Sequence, residues 1–391
     1  MKIPLTDLGA QDAEIGHLIR EAAARVFASQ QYILGGEVTT FEQAMAQRVG
    51  SAAAVGLSSC SDALFLALQA AGVGAGDEVI TTSLSFVATA EAILRVGATP
   101  VFADVEPASL CIDPLAVRQL VNSKTRAILP VHLFGHPADM PALRAIAAEY
   151  HLFLLEDAAQ ALGASIRLRE HRLERNADEQ RERGVPPGED QEIPIGAWGD
   201  AAAFSFFPGK VLGGAGDGGM LVADLALINK VKQLRVHGRD LAMGTFEQLG
   251  GNFRLDALQA AILAAKLPFL DSWVERRRSA ALRYHELLAP LEGVLLPQEA
   301  IGMSSAWNYY VLQTPRAQEL SQKMREDSIQ TSVYYSTPLH RQPLFARLTL
   351  PQPLVHTEVA AQGLLALPLF PEITEEAQEY VASSLKRAFR K

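Results

Sequence analysis

One lysine stands in an unusual position, between two phenylalanines and a run of glycines. Lys210 lies in the stretch FSFFPGKVLGGAGDGG, which begins at Phe204 and follows the apolar segment AWGDAAA. A lysine in such surroundings is either a surface cation that neutralises a carboxylate or a partly desolvated amine. Desolvation lowers the pKa of an amine, so Lys210 is a candidate nucleophile for Schiff-base chemistry.

Three further candidates follow predicted strand ends or precede predicted helices. Asp157 comes directly after FLLE, at the end of a predicted apolar strand. Burial of a carboxylate there is unfavourable unless a cation pairs with it. The stretch SSCSDAL begins at Ser58, and small capping residues there leave backbone N–H groups free for an anion, although any helix can begin this way. Phe86, in TTSLSFVATA, is either a core residue or a platform for a flat ligand.

The elements that must position these residues alternate between strand and helix. Six apolar segments are predicted strands, with amphipathic helical segments between the first four: EVITTSLSF, TPVFADV, RAILPVHLF, LFLLEDAA, AAAFSFF and GMLVAD. This alternation predicts an α/β fold with a mostly parallel sheet covered by helices on both faces, a three-layer α/β/α large domain. Ligands of such sheets bind at the carboxyl ends of the strands, which is where the four candidates fall.

The length of 391 residues predicts two domains. We expect a large domain over residues 1–255, then a linking helix and a small C-terminal α+β domain over residues 256–391. Helical spacing runs from Arg254 to about Leu288, and the strands WNYYVLQ and SVYY precede a terminal helix from Glu375. Residues 167–192 are charged at about half of their positions, which predicts a solvated insertion, with a lid or a partner contact as the alternative reading.

Composition excludes several classes of function. A formal net charge of −9 and a pI near 5.6 argue against a nucleic-acid or anionic-membrane surface and favour small-molecule ligands. Two cysteines, Cys60 and Cys111, provide neither a disulfide framework nor a metal-ligand cluster. The chain begins without a basic segment followed by an apolar core, and no apolar run is long enough to span a bilayer. We therefore expect a cytoplasmic protein.

The four candidates together meet the needs of one cofactor, pyridoxal phosphate. It requires a lysine for a Schiff base, an acid that keeps the pyridine nitrogen protonated, an anion cradle for its phosphate and a flat group over its ring. The sequence supplies these four groups, in the same order, as Lys210, Asp157, the SSCSDAL stretch and Phe86. The residues therefore predict a pyridoxal phosphate enzyme.

The sequence also resembles the DegT/DnrJ/EryC1/StrS family of sugar aminotransferases, which have the aspartate aminotransferase fold, or fold type I. Coverage is close to complete, because nine segments resemble the successive blocks of the family in order. They are YILGGEVTTFEQAMA, SSCSDALFLALQAAGVGAGDEVITT, FVATAEAILRVGATPVFADVEP, PVHLFGHPADM, EDAAQALGA, FSFFPGKVLGGAGDGG, GGNFRLDALQAAIL, YYSTPLH and LPLFPEITEE.

The resemblance implies a role for each matching residue around the cofactor ring. Lys210 would bind the cofactor and afterwards move the proton between the substrate Cα and the C4′ atom of the cofactor. Asp157 would pair with the pyridinium nitrogen, Gln160 would lie near the ring oxygen, and Phe86 would stack on the ring.

The resemblance also implies which residues hold the phosphate and the substrate. Ser61 and Asp62 correspond to the backbone cradle, and Ser205 corresponds to a hydroxyl donor. Asn252 matches an asparagine that reaches the phosphate from a neighbouring subunit, which implies a homodimer with shared active sites. The implied substrate-binding residues are Arg254, Tyr334, Tyr335 and His340.

Three segments depart from the family pattern. Ser59-Cys60-Ser61 stands where Ser-Gly-Thr is common, and we expect the cradle to survive the loss of the glycine. Tyr334-Tyr335 replaces a common His-Tyr pair, so substrate contacts at that edge are expected to differ. The charged stretch after Ala164 replaces what is usually a short turn.

The resemblance implies transfer of an amino group from L-glutamate to a nucleotide-linked keto-sugar in amino-sugar biosynthesis, with ping-pong kinetics. The sequence PGK followed by GDGG resembles members that aminate C3 of the sugar. The alternatives are a 4-keto sugar, a cyclitol ketone, a dehydratase and a regulatory homologue without catalysis. Lys210 argues against the dehydratases, in which histidine replaces the lysine, and the set of Lys210, Asp157 and Gln160 argues against a regulatory protein.

Overall fold

The computed structural model describes residues 1–168, 191–240, 242–289 and 291–390. Its strands in chain order are β1 (Ala53–Leu57), β2 (Glu78–Thr82), β3 (Thr99–Ala103), β4 (Thr125–Leu129), β5 (Phe153–Asp157), β6 (Ser165–Arg167), β7 (Glu192–Pro194), β8 (Ala201–Ser205), β9 (Gly219–Ala223), β10 (Met303–Ser304), β11 (Tyr310–Gln313), β12 (Ser332–Val333) and β13 (Leu364–Leu367).

The α-helices of the described residues are, in the same order, α1 (Leu8–Ser29), α2 (Gly36–Val49), α3 (Cys60–Ala70), α4 (Val87–Arg95), α5 (Pro114–Leu120), α6 (Met140–Tyr150), α7 (Leu225–Leu234), α8 (Ala257–Lys266), α9 (Leu270–Leu288), α10 (Ala317–Glu326), α11 (Val355–Ala361) and α12 (Glu375–Arg390). Several begin after a capping side chain. Ser59, Asp113, Asp139 and Asp224 each accept a backbone N–H of the first turn of the helix that follows.

A seven-stranded sheet forms the centre of the described structure, in the strand order β1-β9-β8-β5-β4-β2-β3. Neighbours from β8 to β3 are parallel, whereas β9 is antiparallel to both β8 and β1. The predicted α/β fold with a mostly parallel sheet is therefore confirmed. Strand β1 and helix α1, which the sequence pattern did not indicate, complete this part of the molecule.

Both faces of the sheet are buried, as predicted. Leu154 of β5 packs in one apolar cluster with α2 and α8, whereas the next residue, Leu155, packs in a second cluster with α3 and α7. Successive side chains of a strand point to opposite faces, so each strand contributes to both layers. The carboxyl ends of β5 and β8 lie side by side, because the two strands pair in parallel from Leu155 to Asp157.

The C-terminal part of the chain has a smaller antiparallel sheet, β11-β13-β12, which packs with α9, α10 and α12 in a third apolar cluster. Ile3 belongs to this cluster and pairs with Ile329. Helix α8, predicted as part of the link, instead packs its apolar side in the large core with α1 and α2. The boundary after residue 255 stays a prediction.

The helical region predicted from Arg254 to about Leu288 consists of two helices. A 3-10 turn over Leu267–Phe269 separates α8 from α9. Pro268 stands inside this turn, and a proline has no N–H with which to continue an α-helical ladder. The two helices can therefore pack against different parts of the molecule.

The insertion predicted over residues 167–192 falls largely on residues 169–190, outside the described residues. Its two ends are paired, because β6 and β7 run antiparallel with Arg167 opposite Glu192, and β10 pairs with the other edge of β6. Among the described residues, no helix is both long and apolar enough to cross a lipid bilayer.

Candidate active site

Lys210 lies just beyond the carboxyl end of β8, in the glycine-rich loop that returns to β9. Its backbone N–H donates to the carbonyl of Phe207 at 2.9 Å. Within the described residues, its side-chain amine has no hydrogen-bond or ion-pair partner, and its charge lies near Asp157 and Cys60. The predicted alternative, a surface cation paired with a carboxylate, therefore finds no support in the described contacts.

Asp157 ends β5 and is almost fully buried, with 5% of its surface exposed. One carboxylate oxygen accepts the hydroxyl of Thr89 at 2.8 Å, and the other accepts the backbone N–H of Ala159 at 3.2 Å. Burial raises the pKa of the Asp157 carboxyl, although these hydrogen bonds and the charge of Lys210 oppose the rise. A further hydrogen-bonded cation would stabilise the charged carboxylate.

Phe86 directly precedes helix α4 and is not a core residue. Thr89, in the first turn of that helix, reaches both Ser85 and Asp157 through its hydroxyl at 2.8 Å. The ring of Phe86 is 62% exposed, so the interpretation of Phe86 as simple core is wrong. An exposed aromatic face next to the helical turn whose Thr89 donates to a buried carboxylate is suited to stacking on a flat ring.

The N-terminus of α3 faces the same region, and the helix begins at Cys60, inside the SSCSDAL stretch. Ser59 caps it by accepting the N–H of Asp62 at 3.1 Å. The backbone N–H groups of Cys60 and Ser61 have no acceptor among the described residues. Cys60 packs its side chain in the core, and burial raises the pKa of its thiol well above the usual value. A cysteine in place of glycine thus leaves these two backbone N–H groups without an acceptor among the described residues, as an anion cradle requires.

The Asp62 side chain points into a network rather than toward a ligand. Its carboxylate accepts the hydroxyls of Ser58 at 2.7 Å and Ser59 at 3.0 Å, and it pairs with Arg95 at 3.0 Å. The negative charge at the mouth of the cradle is therefore compensated. Gly219, the first residue of β9, lies so close that a Cβ atom there would come within 2.2 Å of the carbonyl carbon of Ser59.

Ser205, Asn252 and Arg254 surround the cradle in different ways. Ser205 ends β8, and its hydroxyl accepts the N–H of Phe207 at 3.3 Å. Arg254 pairs through its backbone with Leu57, directly before the cradle, and its side chain donates to Asn252 at 2.6 Å. Within one chain, Asn252, the implied phosphate ligand, is thus hydrogen-bonded to Arg254, the implied substrate ligand.

Gln160, three residues after Asp157, contacts a group of aromatic residues. Its side-chain oxygen accepts the N–H of Phe134 at 2.7 Å, and its amide group donates to the hydroxyl of Tyr335 at 3.3 Å. The Tyr335 ring stacks on Phe134 with centroids 5.9 Å apart, and Tyr334 contacts both rings. Burial raises the pKa of the Tyr335 hydroxyl, so this phenol stays protonated and can act as a hydrogen-bond donor.

His340 is placed differently from the other implied substrate ligands. Its ring pairs through one nitrogen with Ser83 and through the other with Glu358, both at 2.7 Å, and its side chain is 3% exposed. Both ring nitrogens are thus committed, so a substrate contact would require one of these partners to be displaced. The role of His340 in binding substrate stays a prediction.

The profile of the DegT/DnrJ/EryC1/StrS aminotransferase family matches residues 13–386. This chain belongs to that family. A curated relative from Geobacillus stearothermophilus, named as a pleiotropic regulatory protein, is 41% identical over 394 residues and covers 100% of this chain and 99% of its own. A UDP-N-acetyl-3-dehydro-alpha-D-glucosamine 3-aminotransferase from Acidithiobacillus ferrooxidans is 37% identical, covering 98% and 97%.

A solved structure gives the same result for the fold. The crystal structure of DesV from S. venezuelae, in complex with a ketimine intermediate, superposes with a TM-score of 0.90 at 36% identity and covers 100% of this chain and 99% of that one. The predicted fold type I and the predicted aminotransferase family are confirmed. The chain is an aminotransferase, and enzymes of this family depend on pyridoxal phosphate.

The residues of this aminotransferase fit pyridoxal phosphate. A buried carboxylate with a raised pKa matches a pyridine N–H, and free backbone N–H groups at the start of α3 match a phosphate. An exposed aromatic ring and an unpartnered amine complete the set at the same sheet edge. The assignment of individual residues to the cofactor stays a prediction.

Sequence reasoning missed several residues that hold the site of this aminotransferase together. Thr89 fixes Asp157, Arg95 compensates Asp62, and the buried pair of His132 and Glu156 supports the strand end, with ring and carboxylate 3.1 Å apart. The one signal available was the run of polar residues beside apolar strand ends, as in PVHLF and LLEDAA. Such residues require partners when buried, but the pattern does not identify them.

Proposed function

We propose that this protein transfers the amino group of L-glutamate to a nucleotide-linked 3-keto sugar in amino-sugar biosynthesis. The observation that carries the proposal is the amine of Lys210, which has no partner among the described residues and whose charge lies near the buried carboxylate of Asp157. An amine held free beside a carboxylate at the cofactor edge is what covalent binding of an aldehyde requires.

When bound, pyridoxal phosphate supplies an electron sink that makes the Cα–H bond of an amino acid acidic. Asp157 would keep a proton on the pyridine nitrogen through a charge-assisted hydrogen bond. Lys210, once its amine is free, would carry the proton away from the substrate Cα. The stacked rings of Phe134 and Tyr335 would limit access of water on the side of Gln160.

The sugar substrate has a suitable groove next to these residues. Phe86 and Tyr335 line a groove of about 480 Å³. The other lining residues carry hydroxyl, apolar or amide side chains, namely Ser85, Val87, Ser336, Thr337, Leu339, Gln342, Pro343 and Leu344. Amination at C3 is supported by the PGK and GDGG stretches and by the 3-aminotransferase name of the A. ferrooxidans relative.

The direct test is the visible spectrum of the purified protein with pyridoxal phosphate, before and after L-glutamate is added. We expect a band that bleaches with glutamate in the wild type and fails to form in Lys210→Ala. A matched control is Lys230→Met, because Lys230 is an exposed lysine in α7. A colourless wild type that forms no 2-oxoglutarate would favour the regulatory alternative. Assignment of the product by NMR, after reaction with 3-keto and 4-keto nucleotide sugars, tests which carbon of the sugar is aminated.

We also propose a cytoplasmic homodimer with shared sites, in which Asn252 serves the partner's cofactor. Asn252 is exposed, and the free cysteines Cys60 and Cys111 fit a reducing compartment. The test mixes two inactive variants, Lys210→Ala and Asn252→Ala, and allows the subunits to exchange. Recovery of activity at up to about a quarter of wild type is expected if each site draws on two chains. No recovery after verified exchange would exclude shared sites.

A further inference from the structure

Helix α8 reaches the loop that carries Lys210 through two side chains. The side-chain oxygen of Gln259 accepts the N–H of Ala215 at 2.8 Å, and the Nζ of Lys266 donates to the carbonyl of Gly213. Gln259 and Lys266 are about two helical turns apart, so they lie on the same side of the helix. The helix thus holds the loop at two neighbouring backbone groups.

Lys266 is a costly residue at this position. Only 4% of its surface is exposed, its amine lies 5.8 Å from the ring centroid of Trp273, and no carboxylate of the described residues forms an ion pair with it. Burial lowers its pKa to about 8, against the more distant charge of Glu372. A buried ammonium without a carboxylate partner is unfavourable. The hydrogen bond to the carbonyl of Gly213 must therefore be the reason that a lysine occupies this position.

Val211 and Leu212 anchor the start of the loop in the large core, but the glycine-rich part that follows has no large side chain to fix its shape. Its glycines have many accessible backbone conformations, which makes ordering them entropically unfavourable. At Gly213 the glycine is obligatory, because a Cβ atom would come within 2.2 Å of the carbonyl oxygen of Pro208. The N–H of Gly214 donates to Phe206 at 2.8 Å, which leaves the neighbouring groups of Gly213 and Ala215 for α8. Contacts from outside the loop, those of Gln259 and Lys266 in α8, therefore help to determine how well its glycine-rich part is ordered.

We infer that Lys266 and Gln259 are positioning residues, which fix residues 211–216 and thereby hold the backbone of Lys210 at the cofactor edge. They act through the loop and not on the substrate. The consequence for catalysis rests on the proposed role of Lys210, whereas the ordering of the loop can be tested by itself.

The first test is amide hydrogen exchange in the cofactor-free protein. Lys266→Met keeps the length and packing of the side chain but removes the donor, and we expect exchange in residues 211–216 to become about tenfold faster, the effect of one buried hydrogen bond. Lys230→Met is the matched control, because Lys230 also donates to a backbone carbonyl, that of Ala70 in α3, at 3.3 Å. It should leave the loop unchanged.

A second pair of variants separates the hydrogen bond from the packing at Gln259. Gln259→Glu retains the acceptor oxygen for Ala215 and should retain slow exchange, whereas Gln259→Met removes the acceptor and should accelerate it. The melting temperature of Lys266→Met should not fall, because the substitution removes a buried charge. Exchange that stays at the wild-type rate in residues 211–216 of Lys266→Met, or that rises equally over the whole chain, overturns the inference.

The third readout links the loop to Lys210. When pyridoxal phosphate is added to cofactor-free Lys266→Met, we expect the visible band to form about tenfold more slowly, with kcat reduced and KM for glutamate unchanged. Band formation at the wild-type rate despite a loosened loop would refute the link. If Lys210→Ala leaves the band unchanged, the proposed function fails, and the exchange experiment still decides the role of α8.

Discussion

Two adjacent carboxylates on opposite faces of strand β5, Glu156 and Asp157, differ in how many hydrogen bonds they accept. Glu156 is fully buried, and its oxygens accept the backbone N–H groups of Gly196, Trp198 and Gly199 at 2.7 to 2.9 Å. It also accepts from His132, whose other ring nitrogen accepts the N–H of Ala138, so the proton lies on the nitrogen facing Glu156. Every donor that Glu156 needs comes from the protein.

Asp157, one residue further along, has about half as many donors. Within the part of the chain that the structure describes, only Thr89 and Ala159 donate to its carboxylate, and burial raises its pKa. A buried carboxylate with four donors stabilises the fold around it, whereas one with unused lone pairs is held ready for a ligand that brings its own proton. The comparison therefore predicts a structural role for Glu156 and a chemical role for Asp157.

The largest expected effect is on activity, in Asp157→Asn. The amide has the same shape but no negative charge to hold a proton on the pyridine nitrogen, so we expect kcat/KM to fall by about 10³-fold. Steady-state kinetics with glutamate measures the loss, and circular dichroism should show an unchanged fold. A reduction of less than about tenfold would mean that the charge of Asp157 is dispensable.

The next effect is on stability, in Glu156→Gln. The new amide group directs N–H toward backbone donors that need an acceptor, so we expect the free energy of unfolding to fall by about 3 kcal/mol. Urea denaturation measures it. Protein that remains folded should keep kcat within a few-fold of wild type. Stability equal to wild type, or activity lost without unfolding, would contradict the predicted roles of the two carboxylates.

Much of this contrast was predictable from the sequence, but not all of it. Lys210 and Asp157 could be predicted because apolar strands flanked by a charged residue indicate a sheet edge, and parallel strands end at one edge. The distant partners of the two carboxylates could not, because Thr89, which donates to Asp157, and His132, which pairs with Glu156, come from other parts of the chain. Whether an aromatic or histidine is open or enclosed also depends on tertiary packing. Phe86 is exposed, while His340 lies between Ser83 and Glu358.

A smaller effect is expected where the two donors of Asp157 are reduced to one, in Thr89→Val. Valine keeps the shape of threonine but has no hydroxyl, so the charged carboxylate loses a hydrogen bond and the pKa of Asp157 rises further. We expect about a tenfold loss of kcat/KM, with the acidic limb of the pH profile moved to higher pH. Thr89→Ser keeps the hydroxyl and should resemble wild type. A pH profile of Thr89→Val that matches that of wild type would mean that Thr89 does not influence the reaction.

The smallest effect concerns the stability of the cofactor-free protein as a function of pH. Because burial places the pKa of Asp157 above its unfolded-state value, folded protein binds more protons than unfolded protein between the two values. The stability from this group is fully present below the unfolded pKa, about 3.9, and is lost as pH rises through the folded pKa. Wild type should therefore lose stability relative to Asp157→Asn above about pH 4, measured by urea unfolding at several pH values. Added pyridoxal phosphate should reverse the difference, because a pyridine N–H would stabilise the charged form. A flat difference across this range would mean that Asp157 is as well satisfied as Glu156.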